Sequence, residues 1–387
     1  MRVLLVTPYS PFRDHDHAAS DTLVPLVASL SKTHEVHVFT PDIVSGSELR
    51  RGKEIVHEVW AGSRADLGKV RAALGVRPYW AREVWTRRMT EEACVVAARI
   101  RADVVHCEYL QVGDVARRVS QPSVITLHDV TRDVMARALS SAHGARRPYR
   151  FVELLRTAYF ERQVVASATV PIALSSSDAD RFRSLNREVR CVPPGVLIPA
   201  EQWSGGSSAD RTVVFTGAMW REANARAASR LAREIMPLVW RDHPDVRLRI
   251  VGAGPGPGVL DLTDDQRVVV VGRVASLDDE LMSGSVVACP TVYGGGVLMK
   301  LLRALALGAP VVTDVATAFS AGVGSDVAAL ASSDAAFADR LRECLEAPQA
   351  AAALGARARA FVRANFGWPI VSERYTAAYV RARELTA

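Results

Sequence analysis

The sequence predicts an α/β fold of two Rossmann-like, doubly wound domains, and three observations carry that reading. The amino-terminal half alternates short apolar runs with helix-compatible stretches. A second series of the same kind starts afresh at residue 212. Between the two lies a stretch rich in proline, glycine and serine, residues 192–208, with the composition of an interdomain linker. Alternation of this kind implies parallel βαβ units, whose ligand loops lie at the carboxyl ends of the strands.

The first series places strands at 3–7, 36–40, 104–106, 124–127 and 170–175, with a helix at 23–31 and an arginine-rich helical region between the second and third strands. Each strand is a run of apolar or β-branched residues of strand length. The second series places strands at 212–215, 247–251, 268–271, 286–289 and 310–313. The expected domains are therefore 1–197 and 210–367, followed by helically spaced residues at 368–385.

Composition narrows the function classes. A chain of 387 residues with 49% hydrophobic and 23% charged residues can bury two cores, and no apolar run reaches the length that spans a bilayer. The five cysteines are scattered without a Cys-x-x-Cys pair, against both a disulfide framework and a zinc finger, so the cytoplasm is the expected compartment. Net charge is +6, and residues 64–101 hold nine Lys/Arg against four Asp/Glu. Residues 132–162 are also arginine-rich. Such a face suits peripheral contact with an anionic membrane or phosphorylated ligands. A solvated arginine bias from a GC-rich genome explains it equally. No helix-turn-helix, zinc-finger or RNA-binding signature accompanies it, so nucleic acid is not an expected partner.

The chemistry concentrates after the strand at 286–289. Gly294, Gly295 and Gly296, then Val297 and Leu298, lead into a helix-compatible segment that opens near Lys300. A glycine loop between strand and helix exposes backbone N–H groups at a helix start, where an anion is favoured. A lysine one turn in reaches the same anion. The segment from Gly294 to Val312 resembles the donor signature G-x-G-x-x-x-K-x-x-E-A-x-A-x-G-x-P-V-V of retaining, family 4-type (group 1) glycosyltransferases of the GT-B fold. Gly294, Gly296, Lys300, Ala304, Ala306, Gly308, Pro310, Val311 and Val312 fit. Arg303 stands where the pattern has its ribose-binding glutamate, and Gly295 where the commoner variant has a second glutamate.

Other segments extend the resemblance over most of the chain. Residues 192–196 are similar to the family's V-P-N-G-V, with Pro194 for asparagine, and residues 173–179 to its V-S-x-x-D-A. The loop from Gly217 through Met219 and Arg221 to Asn224 resembles a G-S-M-x-x-x-P-N turn, and the glycines from Gly252 to Gly258 a wall of the same cleft. Gly272-Arg273-Val274 resembles a turn that faces the nucleobase. The resemblance implies two domains facing each other across a cleft, with residues 368–385 crossing back onto the first. It implies a nucleotide diphosphate sugar as co-substrate and no cofactor or metal. The diphosphate would be held by backbone around Gly217 and Gly294–Gly296, with Lys300 and Arg221 as cations.

On the acceptor side, His128 and Asp129 follow the strand at 124–127, the position of the family's His-Asp pair beside the donor sugar. His106 and Glu108 form a second polar cluster at a strand end, and His17 closes the first strand–helix loop. That loop, residues 14–17, offers Asp and His ligand types, but adjacent loop residues seldom converge on one ion. Where the family has a Gly-Gly pair the chain has Ala18, Ala19 and Ser20. The reading is a retaining, metal-independent glycosyltransferase acting on a bacterial metabolite or an envelope glycan or lipid. The same cleft would also serve a nucleotide-sugar epimerase, or, with both glutamates replaced, a catalytically degenerate partner subunit.

Overall fold

The computed structural model describes residues 1–12, 18–41, 52–62, 75–144, 146–205, 211–291 and 299–387. The chain forms two compact units, Met1–Gly195 with Trp368–Ala387, and Val196–Gly367. No helix among the described residues is long and apolar enough to cross a membrane.

The first unit is built on a seven-stranded sheet in the order β3-β2-β1-β4-β5-β6-β7. Its strands are β1 (Arg2–Val6), β2 (Glu35–Thr40), β3 (Glu58–Ala61), β4 (Val104–Glu108), β5 (Ser123–Leu127), β6 (Val170–Ala173) and β7 (Arg190–Cys191). The second unit has a six-stranded sheet, β10-β9-β8-β11-β12-β13. It comprises β8 (Thr212–Thr216), β9 (Arg247–Val251), β10 (Val268–Gly272), β11 (Val286–Cys289), β12 (Val311–Asp314) and β13 (Ala329–Ala331). Every pairing is parallel. The central strands are buried on both faces, so they read as unbroken apolar runs.

Strand order reverses between β1 and β4 in the first sheet and between β8 and β11 in the second. At such a switch point the loops after the two central strands splay to opposite faces and open a crevice at their carboxyl ends. In the second unit the two strands are followed by Gly217 after β8 and by Pro290 and Thr291 after β11.

Eight helices matter to the site. They are α1 (Ala18–Leu30), α2 (Thr131–Ser140), α3 (Arg146–Ser167), α4 (Glu222–Arg230), α5 (Leu277–Ser283), α6 (Met299–Leu307), α7 (Pro348–Phe366) and α8 (Trp368–Glu384). Trp368, Val371, Tyr375, Ala378, Tyr379 and Ala382 of α8 recur at helical spacing and are buried with β1, β5, β6 and α1 side chains. Arg381 of α8 adds a two-pronged pair with Glu188, at 2.9 and 3.0 Å. Helix α6 ends at Gly308, whose φ of +78° suits the left-handed cap that lets Ala309 N–H reach back to Ala304 O.

The Pro/Gly/Ser stretch differs from a loose linker over its described part. Trp203 is buried, donating from its indole N–H to Gly284 O at 2.8 Å. The Arg359 guanidinium of α7 is buried too, and donates to Pro199 O, Glu201 O and Ala306 O. Backbone carbonyls thus satisfy a cation that has no carboxylate partner among the described residues. Three strands not read from the sequence, β3, β7 and β13, are all sheet edges. They are short, and none carries the long apolar run that double-sided burial imposes.

Candidate active site

In the second unit the first helical turn after the glycine loop carries Lys300. Its Nζ lies 3.3 Å from Asn224 Oδ1 and 4.5 Å from the centre of the Phe215 ring. No carboxylate pairs with it among the described residues, and burial holds its pKa below the ordinary lysine value. Asn224 is itself fixed, donating from Nδ2 to Ala218 O at 3.0 Å. The carbonyl of Gly217 comes so close to Gly252 that a Cβ there would sit 1.7 Å from it, and Gly252 has φ +149°. Only glycine allows this contact between the loops after β8 and β9. The resulting pocket edge holds a desolvated cation whose neighbours carry only partial negative charge.

The other donor-side expectations are placed as follows. Gly294, Gly295, Gly296, Val297 and Leu298 lie outside the described residues. Gly217 takes a backbone bond to Val251 O. Met219 is buried in the core, so its side chain faces inward and only its backbone borders the loop. Arg221 is exposed at the cap of α4, with its guanidinium over the Trp220 ring at 5.1 Å. Arg273 is exposed just past β10, while Val274 packs against the core. Arg303, one turn beyond Lys300, donates to Asp278 Oδ1 of α5 at 2.6 Å. Where the pattern has a carboxylate, the chain has a guanidinium with a carboxylate brought to it.

In the first unit β5 delivers His128 and Asp129 to the sheet's carboxyl edge. His128 Nε2 is 2.8 Å from Glu108 Oε2, and its ring stacks on Tyr109 at 3.8 Å. Tyr109 holds φ +73°, a strained value for a non-glycine residue. Behind this pair, Tyr379 Oη lies 2.7 Å from His106 Nδ1. Burial pushes the Tyr379 phenol well above its usual pKa, so it stays protonated and donates. His106 therefore carries its proton on Nε2, which is 2.9 Å from Thr126 Oγ1 and 3.0 Å from Glu108 Oε1. The N–H favours Thr126, which leaves Glu108 Oε1 close to the ring without a hydrogen bond. Burial acts to raise the Glu108 pKa, but the contacts with His106 and His128 outweigh it and hold the carboxyl at about 2.

His106 and Glu108 were expected to face an acceptor; the structure buries both completely and makes them the support of His128. His128 is half-buried, with Nε2 against Glu108. Asp129 is exposed and accepts from Thr131 Oγ1 at 2.7 Å. His17 lies outside the described residues, as does the whole 14–17 segment. The arginine-rich residues 132–162 form α2 and the first part of α3, which also exposes Tyr149, Phe151, Leu155 and Tyr159.

Residues 210–347 match the sequence model of the family described as Glycosyl transferases group 1. Most of the second unit is thus similar to a group 1 glycosyl transferase domain. A GDP-mannose-dependent monoacylated alpha-(1-6)-phosphatidylinositol monomannoside mannosyltransferase of Corynebacterium glutamicum is 33% identical over 161 residues, 36% of this chain. The chain spans 40% of that relative's length. Over the whole chain the fold is that of solved GT-B proteins. Sucrose-phosphate synthase from Thermosynechococcus elongatus superposes with a TM-score of 0.71 at 17% identity, over 98% of both chains. Anabaena HepE in complex with UDP gives 0.70 at 14% identity, over 98% of this chain and 100% of that one.

Sequence reasoning missed several residues that shape the two units. Arg230 pairs with Asp314 and Asp334 and donates to Thr291 O, while Asp314 accepts from Thr291 N at 2.6 Å. Together they fix the last described residue before the glycine loop. In the first unit, Glu161 of α3 is buried at the start of α2, accepting from Arg132 N at 3.2 Å, with Oε1 3.6 Å from Arg132 Nε and without a hydrogen bond. Its signal was absent because an acidic residue within an amphipathic helix reads as solvated.

Burial raises the Glu161 carboxyl from 4.5 to about 7. Between those values the folded chain keeps a proton that the unfolded chain has lost, so stability falls as pH rises through this window and stays lower above it. Glu161→Gln keeps an acceptor for Arg132 N–H and removes the titration. Urea denaturation should find variant and native protein equally stable near pH ~4. The variant should be more stable by up to ~3 kcal/mol near pH ~8. A variant that is weaker at the higher pH would show that the anion is needed there.

Proposed function

We propose that the chain is a glycosyltransferase that moves a sugar from a nucleoside diphosphate sugar to an acceptor, with retention of configuration and without a catalytic metal. The observation that carries this reading is Lys300, a desolvated ammonium after a glycine loop at the sheet's switch point, matched by no carboxylate among the described residues. A diphosphate supplies the missing anion. As the bond from the anomeric carbon to the diphosphate breaks, Lys300 and Arg221 neutralise the charge that builds on the leaving group. An acceptor hydroxyl attacking the same face of the oxocarbenium-like sugar gives retention without a protein nucleophile. The likeness of the donor segment to retaining enzymes supports this course. His128, oriented by Glu108, is the group we assign to the acceptor and sugar hydroxyls, with Asp129 beside it.

The donor panel to test includes GDP-mannose, used by the corynebacterial relative, and UDP-glucose, bound by HepE. That relative acts on a phosphatidylinositol mannoside. Together with the arginines and exposed aromatic residues of α3, this supports a lipid-linked acceptor at an anionic surface.

Lys300→Ala removes a charge-assisted contact worth about 1.5–3 kcal/mol. Calorimetry should find the nucleoside diphosphate bound at least ~10-fold more weakly, with the melting temperature of the empty protein hardly changed. Unchanged affinity would remove the phosphate role from this loop. If the native chain binds no nucleotide at all, the partner-subunit reading takes its place.

Arg303 bears on the nucleoside. A guanidinium only donates, and the Nε of Arg303 is already given to Asp278, so it cannot accept from both ribose hydroxyls as a carboxylate does. The 2′-deoxy nucleotide should bind within ~3-fold of the ribonucleotide, less than about 1 kcal/mol apart. Arg303→Glu alone would set two carboxylates face to face, so it is combined with Asp278→Asn. The double variant should widen the gap between the two nucleotides. A strong preference for the ribonucleotide in the native chain that survives Arg303→Ala would assign the ribose to another group.

A further inference from the structure

At the end of the first sheet remote from His128, three potential metal ligands converge. Glu35 opens β2, His37 follows on the same face, and His57 immediately precedes the edge strand β3. Glu35 Oε1 lies 3.1 Å from His37 Nε2 and 3.7 Å from His57 Nε2. One ligand atom from each of the three residues falls within 4.8 Å of the others. With zinc–ligand bonds of about 2.0–2.2 Å, ligand atoms on a tetrahedral ion sit roughly 3.3–3.5 Å apart. The two observed separations bracket that range.

A second observation points the same way. His37 is buried, and its Nδ1 has no hydrogen-bond partner, yet Glu58 Oε2 stands 3.8 Å away. A carboxylate behind the distal nitrogen of a histidine is the outer-shell arrangement that orients imidazole ligands on a metal. The His37 and His57 rings are held edge to face at 5.0 Å, so neither blocks the space between their nitrogens. Arg2 Nε also donates to Glu35 Oε1, at 2.9 Å. Its Nη1 is anchored on Ile100 O at 2.7 Å, so the guanidinium keeps a partner when an ion takes the carboxylate oxygen.

We propose that Glu35, His37 and His57 form a binding site for one zinc-class divalent cation, with water in the fourth position and Glu58 as the outer-shell partner of His37. The ion would tie the edge strand β3 to β2 and to the first residues of β1. Its place at the amino ends of the strands separates it from the chemistry at their carboxyl ends. It is therefore a stabilising site, independent of the transferase reading.

The test is calorimetric titration of the chelator-treated full chain with Zn²⁺, alongside melting curves and the visible spectrum with Co²⁺. His57→Ala and Glu35→Gln are compared with the control His143→Ala, which removes an exposed histidine elsewhere. We expect one zinc per chain, a higher melting temperature with zinc, and a cobalt spectrum of low-symmetry, four- or five-coordinate type. His57→Ala and Glu35→Gln should each weaken zinc at least ~10-fold, and Glu58→Gln by a similar factor through the outer shell. The control should bind as the native chain does, and nucleotide affinity should be the same in all variants. Absence of zinc uptake, or uptake that survives both His57→Ala and Glu35→Gln, overturns the proposal.

Discussion

An ammonium group that has lost most of its water without gaining a carboxylate is the constraint around which the second unit is organised. Burial disfavours the charged form of such a group, which is why its pKa lies below the ordinary lysine value. Among the described residues its closest partners are the π face of Phe215 and the amide oxygen of Asn224. Neither neighbour carries a full charge, so the site is under-compensated until an anion arrives. The fold sets up this condition. The reversal of strand order between β8 and β11 opens the crevice, and the contact of the Gly217 carbonyl with Gly252 fixes the loop after β8 against the loop after β9. Arg230 and Asp314 then pin Thr291 at the crevice margin.

The first unit solves the opposite problem, a buried anion. Glu108 stays ionised within the sheet because two imidazoles flank it, and one of them is fixed by a residue near the far end of the chain. Tyr379, on α8, donates to His106 across 273 positions of sequence. The returning helix therefore does more than cover apolar strands. It determines which nitrogen of His106 carries the proton, and through Glu108 it holds the half-exposed His128 in one orientation.

Much of the architecture was legible because central parallel strands are buried on both faces and must be apolar throughout. The strands around 3–7, 104–106, 124–127, 212–215 and 286–289 announced themselves for that reason. β3, β7 and β13 did not, since an edge strand of two to four residues, such as Arg190–Cys191, leaves no apolar run to read. Lys300 was legible from its spacing behind three glycines. The tertiary partners of other residues were not. Asp278 reaches Arg303, and Glu161 reaches the start of α2, through tertiary contacts 25 and 29 residues apart in sequence. His106 and Glu108 show the limit from the other side: they end a strand as expected, but that strand is buried on both faces, so both side chains are enclosed.

The most direct test of this account is a crystal structure of the chain with a bound nucleoside diphosphate. The account predicts diphosphate oxygens within about 2.7–3.2 Å of Lys300 Nζ, at the carboxyl edge between β8 and β11. A nucleotide seated elsewhere, or one bound while Lys300 keeps Asn224 and Phe215 as its sole neighbours and touches no phosphate, would contradict it.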